Sequence, residues 1–194
     1  MTELLSAYGH SWVDSSGAPE PGSFMAESAA RRLGFAIRNE GVAGTLSTET
    51  ALLTPPPRSV VFLLMTGLND ARLFGRSEHA KRDYAEALRV IFGAFRTANP
   101  DAVVIALEQP HLIEYSLHAP YDRGSHESID DYNAILRETA EGWPSVVVSP
   151  IRGWCAETML DDDAVHPNRR GHAHLADVVV NRGWCSPPVH QCGS

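Results

Sequence analysis

The chain has 194 residues, 43% of them hydrophobic and 21% charged. That suits one domain with a sizeable core, closed by a C-terminal tail over 181–194. A formal charge of −8, from 16 basic and 24 acidic side chains, leaves no basic stripe for nucleic acid or an anionic membrane. No apolar run approaches a membrane span, and the N-terminus lacks the basic-then-apolar pattern of a signal peptide. A cytoplasmic location is therefore expected, and three cysteines, an odd number, fit reduced thiols there.

Short apolar runs alternate with longer amphipathic stretches, the pattern of a parallel α/β sheet. Leu4 to Tyr8 reads as the first strand. A helix follows over Pro21 to Leu33, with Phe24, Met25, Ala29 and Leu33 near one stripe. Phe35 to Arg38 is the second strand, and Leu46 to Leu53 a short helix stopped by Pro55-Pro56-Pro57. Ser59 to Met65 is apolar on both faces, as a central parallel strand should be. Glu78 to Ala98 is the clearest helix, with Tyr84, Leu88, Ile91, Phe92 and Phe95 at helical spacing. Ala102 to Leu107 is the fourth strand, Ile129 to Ala140 a helix, Ser145 to Val148 the fifth strand and Asn168 to Asn181 the last helix. Between them, Pro110 to Ser125 has no clear period, and a structureless stretch of that length is usually functional or mobile.

Ligands of open parallel sheets bind outside the carboxyl ends of the strands. Gly9-His10-Ser11 follows the first strand and Asn39-Glu40-Gly41-Val42-Ala43-Gly44 the second. Gly67-Leu68-Asn69-Asp70 follows the third, the Pro110 loop the fourth, and Asp163-Ala164-Val165-His166-Pro167 the fifth. A carboxylate three residues before a histidine can hold the imidazole Nδ1 when both ride one tight turn, leaving Nε2 free to take a proton from a serine. Acyl transfer needs such a base, a nucleophile, and donors aimed at a developing oxyanion. Ser11 is the candidate nucleophile, His166 the base and Asp163 its orienter. Candidate donors are the backbone N–H of Ser11, that of Gly44, which has no side chain to obstruct it, and the Asn69 amide.

These four blocks, in this order and at strand ends, resemble the SGNH (GDSL-like) hydrolases. The resemblance covers nearly the whole chain. It implies a flavodoxin-like three-layer α/β/α sandwich with a five-stranded parallel sheet. It also implies Ser11 as nucleophile, Gly44 and Asn69 as oxyanion donors, His166 as base and Asp163 as its orienter. One residue departs from the pattern: the family usually carries Asp before the serine, and this chain has His10. Strand alternation turns His10 away from the direction of Ser11, outside the triad.

The expected activity is a cofactor-free, metal-independent serine esterase acting on a small soluble acyl ester. Acetyl esters of sugars or secondary metabolites are the first expectation within the family's range. A thioesterase, a lysophospholipase and an O-acyltransferase use the same machinery, and a binding module could keep the fold without turnover. Trp12, Leu68, Tyr115 and Trp154 are candidates for an apolar wall, and His111 for a pocket residue; Trp154 reads equally as core. Gly41 is read as permitting a tight turn, and Asp161 and Asp162 as solvated neighbours, with Asp162 the alternative orienter. His118 lies with His111 on the Pro110 loop, where surface or packing roles are expected; His172 and His174 in the last helix are read as exposed or packed. Gly-Trp-Cys occurs at Gly153 to Cys155 and again at Gly183 to Cys185, too short to be a repeat. Cys185, His190 and Cys192 cluster but lack a fourth ligand and a familiar metal spacing.

Overall fold

A computed structural model describes residues 2–15, 22–52 and 55–182. Five strands form one sheet: β1 (Leu4–Gly9), β2 (Ala36–Asn39), β3 (Val61–Met65), β4 (Val103–Leu107) and β5 (Val146–Ser149). Their order is β2-β1-β3-β4-β5 and every pairing is parallel. This is the flavodoxin-like order, in which strand succession reverses between β1 and β3 and opens a crevice at their carboxyl ends.

The two-faced apolar run of β3 is buried along its length, because helices cover both sides of the sheet. The helices are α1 (Met25–Leu33), α2 (Ser47–Thr50), α3 (Leu68–Phe74), α4 (Glu78–Ala98), α5 (His126–Ala140), α6 (Ala156–Met159) and α7 (Arg169–Arg182). α1 packs on α7, and α4 packs on α5 and α2. The bounds of α4 are those its sequence period marks. Ser77 caps it by accepting the Ala80 N–H, and Tyr84, Leu88, Ile91, Phe92 and Phe95 supply its buried stripe. Phe95 stacks on Phe62 of β3, with ring centroids 4.4 Å apart. β2 is an exposed edge strand.

The last helix starts because Asn168 Oδ1 accepts the N–H groups of Arg170 and Gly171. The Asn168 amide in turn holds the carbonyls of Thr158 and Leu160, fastening the chain that arrives from α6. α5 begins at His126, three residues before the periodic stripe, since Ser125 accepts the Ser128 N–H. α1 begins at Met25 and not in the Pro21 region; Pro21 itself, like Leu53, lies outside the described residues.

α3 and α6 carry no periodic signal in the sequence. α3 is short and buries Leu68, Asn69, Asp70, Ala71 and Arg72 in succession, so no polar face alternates with an apolar one. No helix among the described residues is long and apolar enough to cross a membrane.

Candidate active site

Ser11 sits on the turn directly after β1. Its Oγ lies 2.9 Å from His166 Nε2, and His166 Nδ1 lies 2.5 Å from Asp163 Oδ2. Because a carboxylate only accepts, Nδ1 carries the proton of the neutral ring, and Nε2 is left to accept from the serine hydroxyl. The other carboxylate oxygen of Asp163 accepts the N–H groups of Val165 (2.9 Å) and His166 (2.8 Å). Partial burial raises the Asp163 carboxyl, but the hydrogen bonds from the His166 ring and these two amides outweigh it and hold the group below the usual carboxylate range.

The turn that joins Asp163 to His166 is locally built. Ala164 donates its N–H to Asp161 O and passes through φ 59, Asp161 N–H returns to His166 O, and Leu160 bridges Pro167. Asp161 and Asp162 are exposed; Asp161 accepts the Asp162 N–H and neither carboxylate reaches the His166 ring in any hydrogen bond among the described residues.

The Ser11 turn is held from behind. The Asn39 amide reaches Val13 O (2.7 Å), Glu27 Oε1 (2.7 Å) and Ser15 Oγ (3.3 Å), and its oxygen accepts the Gly41 N–H. A side chain on Gly41 would stand 2.5 Å from the Asp14 nitrogen. Gly41 is therefore required by close backbone approach, and its φ lies outside the left-handed region.

His10 is fully buried and faces Gln109, with Nε2 3.2 Å from Gln109 Oε1. Since that oxygen accepts, Nε2 is protonated and Nδ1 receives the Trp12 N–H at 3.4 Å. Gln109 continues to Thr66 O and exchanges two bonds with Asn133. Burial pushes the His10 imidazole down to about 4, against the opposing pull of the Gln109 bond, so the ring is neutral at ordinary pH.

Gly44 and Asn69 arrive from the neighbouring strand ends. Gly44 has φ 78 and open space where a side chain would stand. Among the described residues neither its N–H nor that of Ser11 has a backbone or side-chain acceptor. Asn69 donates one amide hydrogen to Thr45 O at 2.9 Å, which leaves its second. Next to it, buried Asp70 accepts both the N–H and the hydroxyl of Ser47, the latter at 2.6 Å. Burial raises the Asp70 carboxyl, with the Ser47 bonds opposing. Two consecutive residues of α3 thus clamp the loop that carries Gly44. The sequence marked Asn69 and gave no role to Asp70, Asn39 or Gln109.

The expected apolar wall is different. Trp12 and Leu68 are fully buried core residues, so neither presents a face to a ligand. Tyr115 is also buried, its hydroxyl accepting the Leu112 N–H. Trp154 stacks on Trp12 at 5.4 Å and donates to His111 O. His111 and Trp154 do line a cavity of about 310 Å³ with Gln109, Asp130, Asn133 and Arg152, beyond the ends of β4 and β5. His111 Nε2 lies 2.8 Å from Asp130 Oδ1. His118, from the same loop, contacts the Asp163 carbonyl at 3.0 Å, and Tyr121 donates to Gly44 O at 3.4 Å. His172 is buried and stacked on Phe24, while His174 reaches Arg152 O.

Cys155 is a free thiol. Cys185, His190 and Cys192, with the second Gly-Trp-Cys, lie outside the described residues. Among the described residues no group of three or more His, Cys, Asp or Glu is placed to hold a metal ion.

A family model, the GDSL-like Lipase/Acylhydrolase family, matches residues 7–174, a span that contains every one of these strand-end groups. The chain belongs to that family, a class of serine ester hydrolases. Among solved structures it is similar to an acetylxylan esterase from Geobacillus stearothermophilus, at 19% identity and a TM-score of 0.67, over 92% of this chain and 93% of that one. It is also similar to a putative GDSL-like lipase from Parabacteroides merdae, at 15% identity and a TM-score of 0.69, over 93% and 94%. A lipase from a goat rumen metagenome gives 16% identity and a TM-score of 0.69, over 94% and 98%. At such identities these likenesses speak for the fold. No curated protein matches the sequence.

Proposed function

We propose that the protein hydrolyses a small acyl ester, with Ser11 as nucleophile, His166 as general base and acid, and Asp163 as the group that orients the imidazole. The observation that carries this reading is the unbroken hydrogen-bonded path from Ser11 Oγ through His166 to Asp163, standing at the carboxyl end of the sheet. Ser11 Oγ attacks the ester carbonyl as His166 Nε2 takes its proton. The imidazolium is stabilised by Asp163, whose depressed pKa keeps it ionised through the step. The oxyanion is received by the N–H groups of Ser11 and Gly44 and the free amide hydrogen of Asn69, all donors with no need to reorganise. His166 then protonates the leaving alcohol, and water, activated by the same ring, releases the acyl group from Ser11. The esterase named among the similar structures acts on acetyl groups of a sugar polymer, and an acetyl or other short acyl ester is the substrate class proposed here.

Covalent labelling tests the assignment. A fluorophosphonate probe should modify Ser11 alone, and Ser11→Ala should lose both the label and turnover of para-nitrophenyl acetate while its circular dichroism is unchanged. Labelling at a different serine, or normal turnover by the variant, would overturn the reading.

A further inference from the structure

Arg72 is a buried cation, 5% exposed, with no carboxylate in ion-pair contact among the described residues. Among the described residues its Nε is buried without a hydrogen-bond partner and its Nη2 reaches Leu117 O at 3.4 Å, while its guanidinium carbon stands 5.9 Å from the Tyr121 ring centre. Both contacts are long ones. A guanidinium offers five donors, and burying it so sparsely is unfavourable unless something repays the lost hydration. Burial indeed drives its pKa down, with the charge of Asp163 opposing.

Its position gives the deficit a direction. Arg72 lies three residues after Asn69 in α3, and residues so spaced share one helix face. The segment that touches Arg72 also touches both halves of the site. Leu117 adjoins His118, which contacts the Asp163 carbonyl, and Tyr121 donates to the Gly44 carbonyl. The guanidinium is therefore bracketed between the turn that carries Asp163 and the loop that carries Gly44. Asp163 itself is engaged by His166 and Val165 and does not ion-pair with Arg72. With a formal charge of −8 the protein repels anions at long range, so an anionic substrate needs a local cation to hold it.

We propose that Arg72 anchors an anionic group on the substrate, a carboxylate or a phosphate borne by the ester, whose oxygens match the guanidinium fork. This rests on the ester-hydrolase reading above and narrows it from acyl esters in general to negatively charged ones.

Matched ester pairs test the idea and locate the charge. Mono-para-nitrophenyl succinate against para-nitrophenyl butyrate places a carboxylate on the acyl arm. Meta-acetoxybenzoate and meta-acetoxyphenyl phosphate, each against phenyl acetate, place a carboxylate or a phosphate on the alcohol arm. At least one charged ester should exceed its neutral partner in kcat/KM by about tenfold or more, chiefly through KM, the scale of one charge-assisted bond. Arg72→Met should lower that ratio by a similar factor, and Arg72→Lys should keep part of it. Ratios at or below one for every pair, or a ratio that Arg72→Met leaves unaltered, overturn the proposal.

Calorimetric titration with succinate and with succinamide needs no turnover and serves even if Arg72→Met does not fold. Tighter binding of succinate to the wild-type protein is expected, and equal binding of the two overturns the anion site. Succinate bound through Arg72 by a protein that hydrolyses no ester would overturn the ester reading and leave the anion site standing.

Discussion

The two halves of the site are held in opposite ways. The Asp163–His166 turn is exposed and self-contained: its carboxylate, its two amides and its reversal at Ala164 all lie within a few residues of one another. The Ser11 turn and the Gly44 loop are held by distant residues, from Asn39 and Glu27 on one side to Gln109, Asn133, Asn69 and Asp70 on the other. The His166 ring can thus be adjusted by changing one tight turn, whereas Ser11 and the Gly44 loop are fixed by the packed sheet ends. Preorganised donors are worth most where they cannot relax, which is the half tied down by distant residues.

If the exposed turn works as a unit, its carboxylate carries the largest effect. Asp163→Asn should lower kcat by about 10⁴, because the amide accommodates the wrong imidazole tautomer. Asp161→Asn and Asp162→Asn should change kcat by less than about twofold, as expected of exposed substitutions away from any packed or paired feature. Steady-state kinetics on one ester decides between them. A large loss in Asp162→Asn with a small one in Asp163→Asn would move the orienter by one residue.

The half held by distant residues should respond less steeply to a single deletion, since the proposed oxyanion hole has three donors. Asn69→Ala should reduce kcat by roughly 10²–10³ with KM nearly constant, the interaction strengthening as charge develops. An unaltered kcat would leave Asn69 with only its bond to Thr45 O. Asp70→Asn should come next. The amide can still accept from Ser47 with its oxygen, but its NH₂ replaces the other acceptor, so the Gly44 loop loses about 1–2 kcal/mol of its clamp. A fall in kcat of about tenfold is expected, partly restored in Asp70→Glu; equal losses in both variants would point to general destabilisation.

The same contrast explains what could be read before the fold was known. Asp163 and His166 were legible because their partnership is local and its spacing is written in four consecutive residues. β3 and α4 were legible because Ser59 is followed by an uninterrupted apolar run to Met65 and Glu78 to Ala98 carries a clean helical period. α3 was not, because a short helix buried from Leu68 to Arg72 shows no stripe. Gln109 was not, because nothing in the Pro110 region says that its side chain meets a histidine ninety-nine positions earlier. Trp12 misled for the opposite reason: beside a nucleophile it reads as a pocket wall, and only the stacked Trp154 and the covering core show that it faces inward.

The smallest effect expected concerns acid stability, and it separates the halves once more. Burial holds His10 and His172 near 4 in the folded protein, and both should titrate near their ordinary value of about 6.5 when unfolded. Between those values the unfolded chain binds more protons than the folded one, so stability falls as pH falls through 6.5 and the loss is complete below about 4. Asp163 acts in the same sense but in a lower window: its depressed pKa contributes stability that is lost only as pH falls through and below the ordinary carboxylate value. At pH 5.5 each buried histidine should have removed about 1.4 kcal/mol relative to pH 7.5, or a few degrees in Tm for a chain of this size. His172→Phe keeps the stack on Phe24 and removes one titrating group, so it should abolish about half of the decrease in Tm between these two pH values. Because His172 lies outside the hydrogen-bonded paths that hold Ser11, the variant should retain its activity at pH 7.5. Scanning calorimetry at the two pH values, with an esterase assay on the same samples, measures both. A drop in Tm as large as that of the wild-type protein would exclude His172 as a source of acid sensitivity, and a loss of activity at pH 7.5 would show that the α7 core and the Ser11 turn are not separately supported.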